Sequence, residues 1–287
     1  MDGISFRPSL PPQRGHSSFF VASFTSNRLL LHRRQPATSR QVRTGVFCST
    51  VLPKAYKPHK HVMKWWQKVS QNFNADGIRL FAYIVGGHPE LSVPHVSVPD
   101  IRWVDWRALR AAGFKGCVFD KDNTLTEPYA LGIHEPLAAS MQHCMETFEG
   151  NIAVLSNSAG LQEFDPKGEE AVAMEKALGI RVVRHITKKP AGDAAALEKH
   201  FSCKAEELVM IGDRYLTDVV YGNRNGLFTV RPAPLTLEGE PSAVLIARRV
   251  EDHYTRKWAK HGIQAPKHPL VKSEAMLKSF VSEPALW

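Results

Sequence analysis

Short apolar runs alternate with helix-like segments through the middle of the chain. Five runs have the length of buried strands, at residues 116–119, 152–155, 180–183, 208–211 and 227–230. Segments with a helical pattern separate them, at residues 135–148 and 168–178, after Pro190, and up to about Asn225. This alternation predicts an α/β fold with a Rossmann-like parallel sheet and helices on both of its faces.

Helical spacing also occurs outside this region. Residues 62–73 place two tryptophans and three other apolar residues on one face, and an apolar stretch follows at 78–85. Residues 246–258 form a second helical pattern, to which we assign no role. We therefore divide the chain into an N-terminal segment at 1–50, an arm at 51–104, a core domain at 105–235 and a helical extension at 236–287.

The positive charge of the chain is concentrated in its first quarter. The formal net charge is +9, yet residues 1–75 contain 12 basic and one acidic residue, and the remainder has a net charge of −2. A nearly neutral main domain argues against nucleic-acid binding, which needs basic side chains spread over a folded face. Residues 1–50 are rich in Ser, Thr, Pro and Arg, which is typical of a transit peptide and favours a plastid address.

Polar residues follow four of the predicted strands, at the edge where parallel sheets bind ligands. They are Asp120 and Asp122 after the first strand, Ser156 and Asn157 after the second, Lys188 and Lys189 after the third, and Asp213 and Asp218 after the fourth. Because these strand ends meet at one edge of the sheet, the sequence predicts a single site with carboxylates, a hydroxyl and an ammonium group.

Such a site suits phosphoryl transfer. A phosphate dianion repels a carboxylate nucleophile, and Mg²⁺ held by oxygen ligands offsets that repulsion. We expect Asp120 and Asp213 each to give the ion a carboxylate oxygen, and Asp122 to give its backbone carbonyl while its side chain stays free. The lysine then neutralises charge in the transition state, and Ser156 donates a hydrogen bond to a phosphoryl oxygen.

These segments resemble the four motifs of the haloacid dehalogenase superfamily. Residues 120–124, Asp-Lys-Asp-Asn-Thr, are similar to its DxDxT first motif, Ser156 to its second, one lysine of the pair at 188–189 to its third, and residues 213–218 to its fourth. The motifs occur in the order and on the elements that the superfamily requires. The resemblance covers residues 115–231.

The resemblance implies a role for each matching residue. Asp120 is expected to be the nucleophile that forms an aspartyl-phosphate, and Asp122 the general acid and base. Asp213 is expected to bind Mg²⁺, and Asp218 to support the metal through water or a hydrogen bond. Ser156 and Asn157 are expected at the phosphate together with Lys189, which directly precedes a proline as in many relatives, or with Lys188 as the alternative.

Two spacings indicate that the enzyme has no cap domain or only a minimal one. Only 34 residues separate Asp122 from Asn157, and 31 separate Ser156 from Lys188, and predicted helices use many of them. The active site should therefore be open. An open site admits a large substrate or one that is held in a membrane or a macromolecule.

A narrower resemblance concerns phosphatidylglycerophosphate phosphatases. Residues 120–125 are similar to the nucleophile loop of that family, and residues 87–101 to its N-terminal region. This implies a phosphoric monoester hydrolase that converts phosphatidylglycerophosphate, a phospholipid at a membrane surface, into phosphatidylglycerol. We expect it in the chloroplast, peripheral to an inner or thylakoid membrane, with the mitochondrion as a further address.

The helix predicted at 62–73 has the composition of an interfacial membrane anchor. Trp65 and Trp66 lie beside Lys64 and Lys68, a pairing that suits anionic lipid. The alternative is that this helix and the stretch at 78–85 pack against the core of the domain, and we favour membrane contact. Two other functions stay open, a phosphatase for a phosphoprotein or soluble phosphomonoester and a non-catalytic membrane-associated scaffold. The sequence leaves the oligomeric state open.

Overall fold

The computed structural model describes residue 79 and residues 82–283. All of these residues belong to one compact unit, which spans residues 56–287. The predicted transit peptide and the predicted helix at 62–73, with Lys64, Trp65, Trp66 and Lys68, lie outside the described residues.

A six-stranded parallel sheet forms the centre of the described unit. Its strands are β1 (Val96–Val98), β2 (Gly116–Phe119), β3 (Ile152–Val154), β4 (Arg181–Val182), β5 (Leu208–Ile211) and β6 (Phe228–Pro232). Their order across the sheet is β1-β6-β5-β2-β3-β4, and every neighbouring pair is parallel. The predicted α/β fold class is confirmed.

Seven α-helices accompany the sheet, in addition to a helical segment at residues 82–87 near the start of the described residues. They are α1 (Trp106–Ala111), α2 (Ala138–Thr147), α3 (Glu169–Leu178), α4 (Ala195–Phe201), α5 (Val220–Arg224), α6 (Ser242–Lys260) and α7 (Glu274–Ser279). The connection from β2 to β3 contains a short 3-10 turn and α2, and the connection from β3 to β4 contains α3. Neither connection contains a cap domain. None of the described helices is long and apolar enough to cross a membrane.

Helices cover both faces of the sheet. Because successive side chains of a strand point to opposite faces, Val118 and Met210 face one side, and Phe119 and Ile211 face the other. The first pair belongs to a buried cluster with residues of α4, whereas the second belongs to a larger cluster with residues of α1, α2 and α3. Apolar side chains therefore cover much of both faces of the sheet.

The structure adds a sixth strand to the five that the apolar pattern predicts. Val96–Val98 lies in the predicted N-terminal arm and pairs with β6 along its whole length. Farther upstream, residues 82–87 are helical, and Ile84 is fully buried beside Val220 and Trp258. Part of the apolar stretch at 78–85 therefore packs on the domain, although Tyr83 and Val85 remain exposed.

Candidate active site

Two neighbouring strands end in carboxylates that lie close together. Asp120 follows β2, where its N–H donates to the Ile211 carbonyl of β5 at 2.8 Å. Asp213 follows β5, and the Thr124 hydroxyl accepts its N–H at 3.1 Å. Three carboxylate oxygens lie within 4.8 Å of one another, one each from Asp120, Asp213 and Asp218. The sheet thus brings together the three acids that the sequence places on separate segments.

A buried lysine joins two of these acids. Lys189 Nζ donates to Asp120 Oδ1 at 2.8 Å and to Asp218 Oδ1 at 2.7 Å. The Lys189 side chain is 1% exposed and that of Asp218 is 2% exposed, whereas 18% of the Asp120 side chain reaches solvent. Asp120 is therefore the member of this trio that an incoming substrate can meet.

Burial dominates the electrostatics of the site. Burial raises the pKa of Asp120 to about 7, with Lys189 opposing the shift and the neighbouring acids adding to it. Burial likewise raises the pKa of Asp213 to about 6, against the influence of Arg248. Burial disfavours the charge of Lys189, but Asp120 and Asp218 outweigh it and raise the lysine pKa. The site therefore holds a permanent ammonium among acids that need cations to stay ionised.

The two adjacent lysines have different positions. Lys189 lies in the site, and its main chain makes two hydrogen bonds with the Asn157 side chain, at 2.7 and 3.1 Å. Lys188 instead lies over the ring of Phe164, 4.8 Å from its centroid. Asn157 thus positions Lys189 through the lysine backbone. Ser156 is buried at the end of β3, and its hydroxyl pairs with that of Ser158 at 2.9 Å.

The side chain of Asp122 is held rather than free. Its Oδ1 accepts from Lys121 Nζ at 2.6 Å and from the Tyr129 N–H at 3.1 Å. Lys121 Nζ also donates to the Ala130 carbonyl, which ties the loop after Asp122 back to the nucleophile loop. The Asp122 carboxylate is not one of the three acids that lie close enough to share a metal ion, and its hydrogen bonds are made within its own loop. These bonds fix the orientation of the group that sequence reasoning assigns to acid-base chemistry.

The C-terminal extension contributes an arginine that sequence reasoning missed. Arg248 of α6 forms ion pairs with Asp213 and with Glu240, and Glu240 Oε1 accepts from the Asn123 side chain at 2.6 Å. Asn123 stands in the nucleophile loop with a φ of 62°, a left-handed conformation that asparagine tolerates better than most residues. The extension is thus connected to the loop and to a predicted metal ligand.

Two more arginines surround Asp213. Arg214 is paired with the buried Glu251 of α6 at 2.7 Å. Arg231 donates its Nε–H to the Asp213 carbonyl at 3.1 Å and stacks on the Tyr215 ring. No sequence pattern indicates these contacts of Arg214 and Arg231, because their partners are distant in the chain. Their common effect is to anchor the loop after β5 to β6 and α6.

The acids fit a divalent metal ion. Hard cations such as Mg²⁺ prefer carboxylate oxygens, and one from each of three acids is available within 4.8 Å. Asp213 Oδ2 is buried and contacts Arg248 without a well-aligned hydrogen bond, so it retains capacity for a ligand. Both oxygens of Asp218 already accept hydrogen bonds, from Lys189 and from the Arg214 N–H. Asp120 and Asp213 are therefore the better direct ligands.

Comparison with known proteins identifies the family. Residues 77–233 match the family described as "Mitochondrial PGP phosphatase". The chain belongs to this family. It is 47% identical over 241 residues to "Phosphatidylglycerophosphate phosphatase 1, chloroplastic" of Chlamydomonas reinhardtii, covering 83% of this chain and 90% of the relative. It is 46% identical to "Phosphatidylglycerophosphate phosphatase 1, chloroplastic/mitochondrial" of Arabidopsis thaliana, covering 77% of this chain and 64% of that relative.

A more distant relative is also named as a phosphatidylglycerophosphatase. "Probable phosphatidylglycerophosphatase, mitochondrial" of Schizosaccharomyces pombe is 29% identical, covering 55% of this chain and 81% of that protein. Membership of the family confirms the predicted phosphoric monoester hydrolase. The site at the carboxyl edge of the sheet is therefore the candidate catalytic centre of a PGP phosphatase family member.

Gly212, just before Asp213, has no room for a side chain. A Cβ on Gly212 would lie 2.4 Å from Asp218 Cγ. We expect Gly212→Ala to displace the Asp218 carboxylate, lower the free energy of unfolding by about 1–3 kcal/mol and reduce phosphatase activity. The control is Gly132→Ala, because a Cβ there meets nothing within 4 Å. Equal unfolding curves for the two variants would contradict the expected clash.

Proposed function

We propose that this protein is a Mg²⁺-dependent phosphatase that removes the terminal phosphate of phosphatidylglycerophosphate through an aspartyl-phosphate on Asp120. The observation that carries the proposal is the cluster of Asp120, Asp213 and Asp218 around Lys189. It lies in a chain that is 47% identical to a protein named phosphatidylglycerophosphate phosphatase. The products are phosphatidylglycerol and inorganic phosphate.

In the first step, an Asp120 oxygen attacks the phosphorus atom. A bond forms between that oxygen and phosphorus as the bond to the glycerol oxygen breaks. Asp122, in its protonated form, gives a proton to the leaving alkoxide. Lys189 lies 2.8 Å from Asp120 and stabilises the negative charge that gathers around the transferring group. Ser156 donates a hydrogen bond to a phosphoryl oxygen.

In the second step, water hydrolyses the aspartyl-phosphate. Asp122, now a carboxylate, takes a proton from the water as the water oxygen attacks phosphorus. The bond between phosphorus and the Asp120 oxygen breaks, and phosphate leaves. Lys121 and the Tyr129 N–H hold Asp122 in place, so they act as positioning groups for both proton transfers. Asp120 returns to its starting state.

Asp120 and Asp213 would hold the metal ion through their carboxylates, with the backbone carbonyl of Asp122. When bound, Mg²⁺ offsets the repulsion between the nucleophile and the phosphate dianion. Asp218 serves the same centre by orienting Lys189. Arg248 holds Asp213 through the ion pair with its buried Oδ2 atom.

The open edge of the sheet suits a substrate that stays anchored elsewhere. Neither connection at which a cap domain would be inserted contains more than one α-helix. A phospholipid can therefore present its head group to Asp120 while its acyl chains remain in a bilayer. We propose a peripheral position on a plastid inner or thylakoid membrane, with the mitochondrion as a further address; the names of two relatives, "chloroplastic" and "chloroplastic/mitochondrial", support it.

The decisive experiment compares phosphate release from three substrates with and without Mg²⁺. These are phosphatidylglycerophosphate in mixed micelles, a phosphoserine peptide and a soluble sugar phosphate. We expect Mg²⁺-dependent release from the lipid, with kcat/KM at least about tenfold above either soluble substrate. A higher kcat/KM for the peptide or the sugar phosphate would reject the lipid as the substrate and support the alternative phosphatase function. Release from none of them would favour a non-catalytic scaffold.

Metal binding should also be visible in the stability of the protein. Because Asp120 and Asp213 share a crowded acidic site, Mg²⁺ at about 100 times its Kd should stabilise the fold by about 2.7 kcal/mol. Asp213→Asn should lose most of this stabilisation. Differential scanning fluorimetry of both proteins over a Mg²⁺ series measures it. The same rise in unfolding temperature in wild type and Asp213→Asn would contradict the assignment of Asp213 as a ligand.

A further inference from the structure

Large apolar side chains are exposed on three loops at the catalytic edge of the sheet. Leu131 is 52% exposed on the loop after β2, Ile186 is 79% exposed on the loop after β4, and Leu237 is 53% exposed on the loop after β6. The strands are all parallel, so these loops lie at the same edge as Asp120 and Asp213. We name Leu131, Ile186 and Leu237 the apolar rim.

Each rim residue is close in sequence to a residue that contacts the site. Ala130, next to Leu131, accepts a hydrogen bond from Lys121. Lys189, three residues after Ile186, contacts Asp120. These short separations keep the two rim residues near the nucleophile loop.

The third rim residue is fixed in the same way. Thr236, next to Leu237, donates its N–H to the Asn123 side chain at 3.0 Å. In the sheet, β4 and β6 lie two strands to either side of β2. With about 4.8 Å between neighbouring strands, their loops start about 19 Å apart, and the β2 loop lies between them. The apolar rim therefore extends along the catalytic edge of the sheet, from the loop after β4 to the loop after β6.

A single exposed apolar side chain is ordinary, but three large ones on loops along the catalytic edge indicate a surface that becomes covered. The adjacent helix α6 indicates what covers it. Its exposed residues include four basic side chains and two apolar ones and no acid, namely Arg249, Arg256, Lys257, Lys260, Ile246 and Val250. The two acids of α6 are buried (Glu251) or half-buried (Asp252). This combination complements an anionic lipid surface.

We propose that the apolar rim inserts into the surface of an anionic phospholipid bilayer and holds the catalytic edge against it. The proposal rests on the proposed function, because a phospholipid substrate keeps its acyl chains in the bilayer while its terminal phosphate reaches Asp120. It identifies a membrane-binding surface in the phosphatase domain itself. Its residues are other than Trp65 and Trp66 of the predicted anchor.

The first test uses a triple variant of the full chain, L131S with I186S and L237S. The matched control is Val172→Ser, since Val172 is 57% exposed on α3, outside the rim. The substrate is phosphatidylglycerophosphate in vesicles that contain phosphatidylglycerol. We expect kcat/KM to fall at least about tenfold, because the loss of burial of even one such side chain in the bilayer costs that much. Hydrolysis of a short-chain soluble analogue should be unchanged. An undiminished rate on vesicles would overturn the proposal.

The second test is independent of catalysis and of the N-terminal arm. In a C48S and C203S background, a fluorophore is attached at Leu131→Cys, Ile186→Cys, Leu237→Cys or Val172→Cys. Brominated phospholipid in the vesicles should quench the three rim probes and leave the Val172→Cys probe unaffected. Rim probes that stay unquenched would overturn the proposal. If W65A with W66A also abolished vesicle binding, that binding would depend on the predicted anchor and not on the rim.

The two tests separate failure of the rim from failure of the proposed function. If the wild type hydrolyses neither the vesicle lipid nor the soluble analogue, the lipid phosphatase assignment fails. Quenching at the rim would then still support the membrane-binding surface. Efficient hydrolysis of vesicle lipid with unquenched rim probes would support the function and reject the rim.

Discussion

Asp120→Asn should lower phosphatase activity by at least about 10³-fold without loss of folding stability, because the amide cannot attack phosphorus and is a weaker metal ligand. We expect the folding stability to be retained because of the environment of the Asp120 side chain. Burial raises the pKa of Asp120 to about 7, so at pH 8 the metal-free protein holds an ionised group that its surroundings disfavour. The neutral amide removes that cost, and its oxygen still accepts the Lys189 hydrogen bond.

The measurement combines kcat with thermal unfolding in the absence of metal. Glu238→Gln serves as the control, since Glu238 is an exposed acid on the loop after β6 and loses the same charge. It should leave kcat and the unfolding temperature nearly unchanged. Substantial activity in Asp120→Asn would exclude this residue as the nucleophile.

A chemical readout separates the nucleophilic role of Asp120 from its role as a metal ligand. Wild type quenched in acid during turnover of ³²P-labelled substrate should carry a phosphoryl group that hydroxylamine releases, as expected for an acyl phosphate. Asp120→Asn should carry none. Labelled protein in the variant would assign the covalent intermediate to another residue.

The positions of the acids could be predicted because they depend on a general property of parallel sheets. Once residues 116–119 and 208–211 are recognised as strands, Asp120 and Asp213 must lie at the same edge. The choice of Lys189 over Lys188 required the resemblance to the superfamily. β1 escaped prediction because its three residues lie between Pro94 and Pro99, and so short a run shows no clear periodicity.

The contribution of α6 could not be predicted, because it depends on how the helix docks. In the sequence, Arg248 is one of several basic residues on a helical pattern, which usually indicates a solvated face. Only the packed structure shows that this side chain turns towards Asp213 while Arg249 remains exposed. The link from Glu240 to Asn123 likewise joins residues 117 positions apart. Contacts of this range leave no local pattern.

Lys189→Met should abolish activity and also destabilise the fold, in contrast to Asp120→Asn. Lys189 is 1% exposed and pairs with both Asp120 and Asp218. Its removal leaves two acids at close range with no cation between them, and breaking a buried pair in this way costs about 3–5 kcal/mol. Chemical denaturation without metal measures the loss. Lys188→Met is the matched control, since Lys188 lies over the ring of Phe164, 4.8 Å from its centroid, and outside the cluster of acids.

A double variant separates the electrostatic cause from simple loss of packing. Asp218→Asn combined with Lys189→Met removes one of the two uncompensated charges, so it should recover a large part of the lost stability. Activity should stay absent, because the cation that stabilises the transferring phosphoryl group is still missing. Additive destabilisation by the two substitutions would instead indicate that Lys189 supports the fold through packing, and that the ion pairs with Asp120 and Asp218 contribute little.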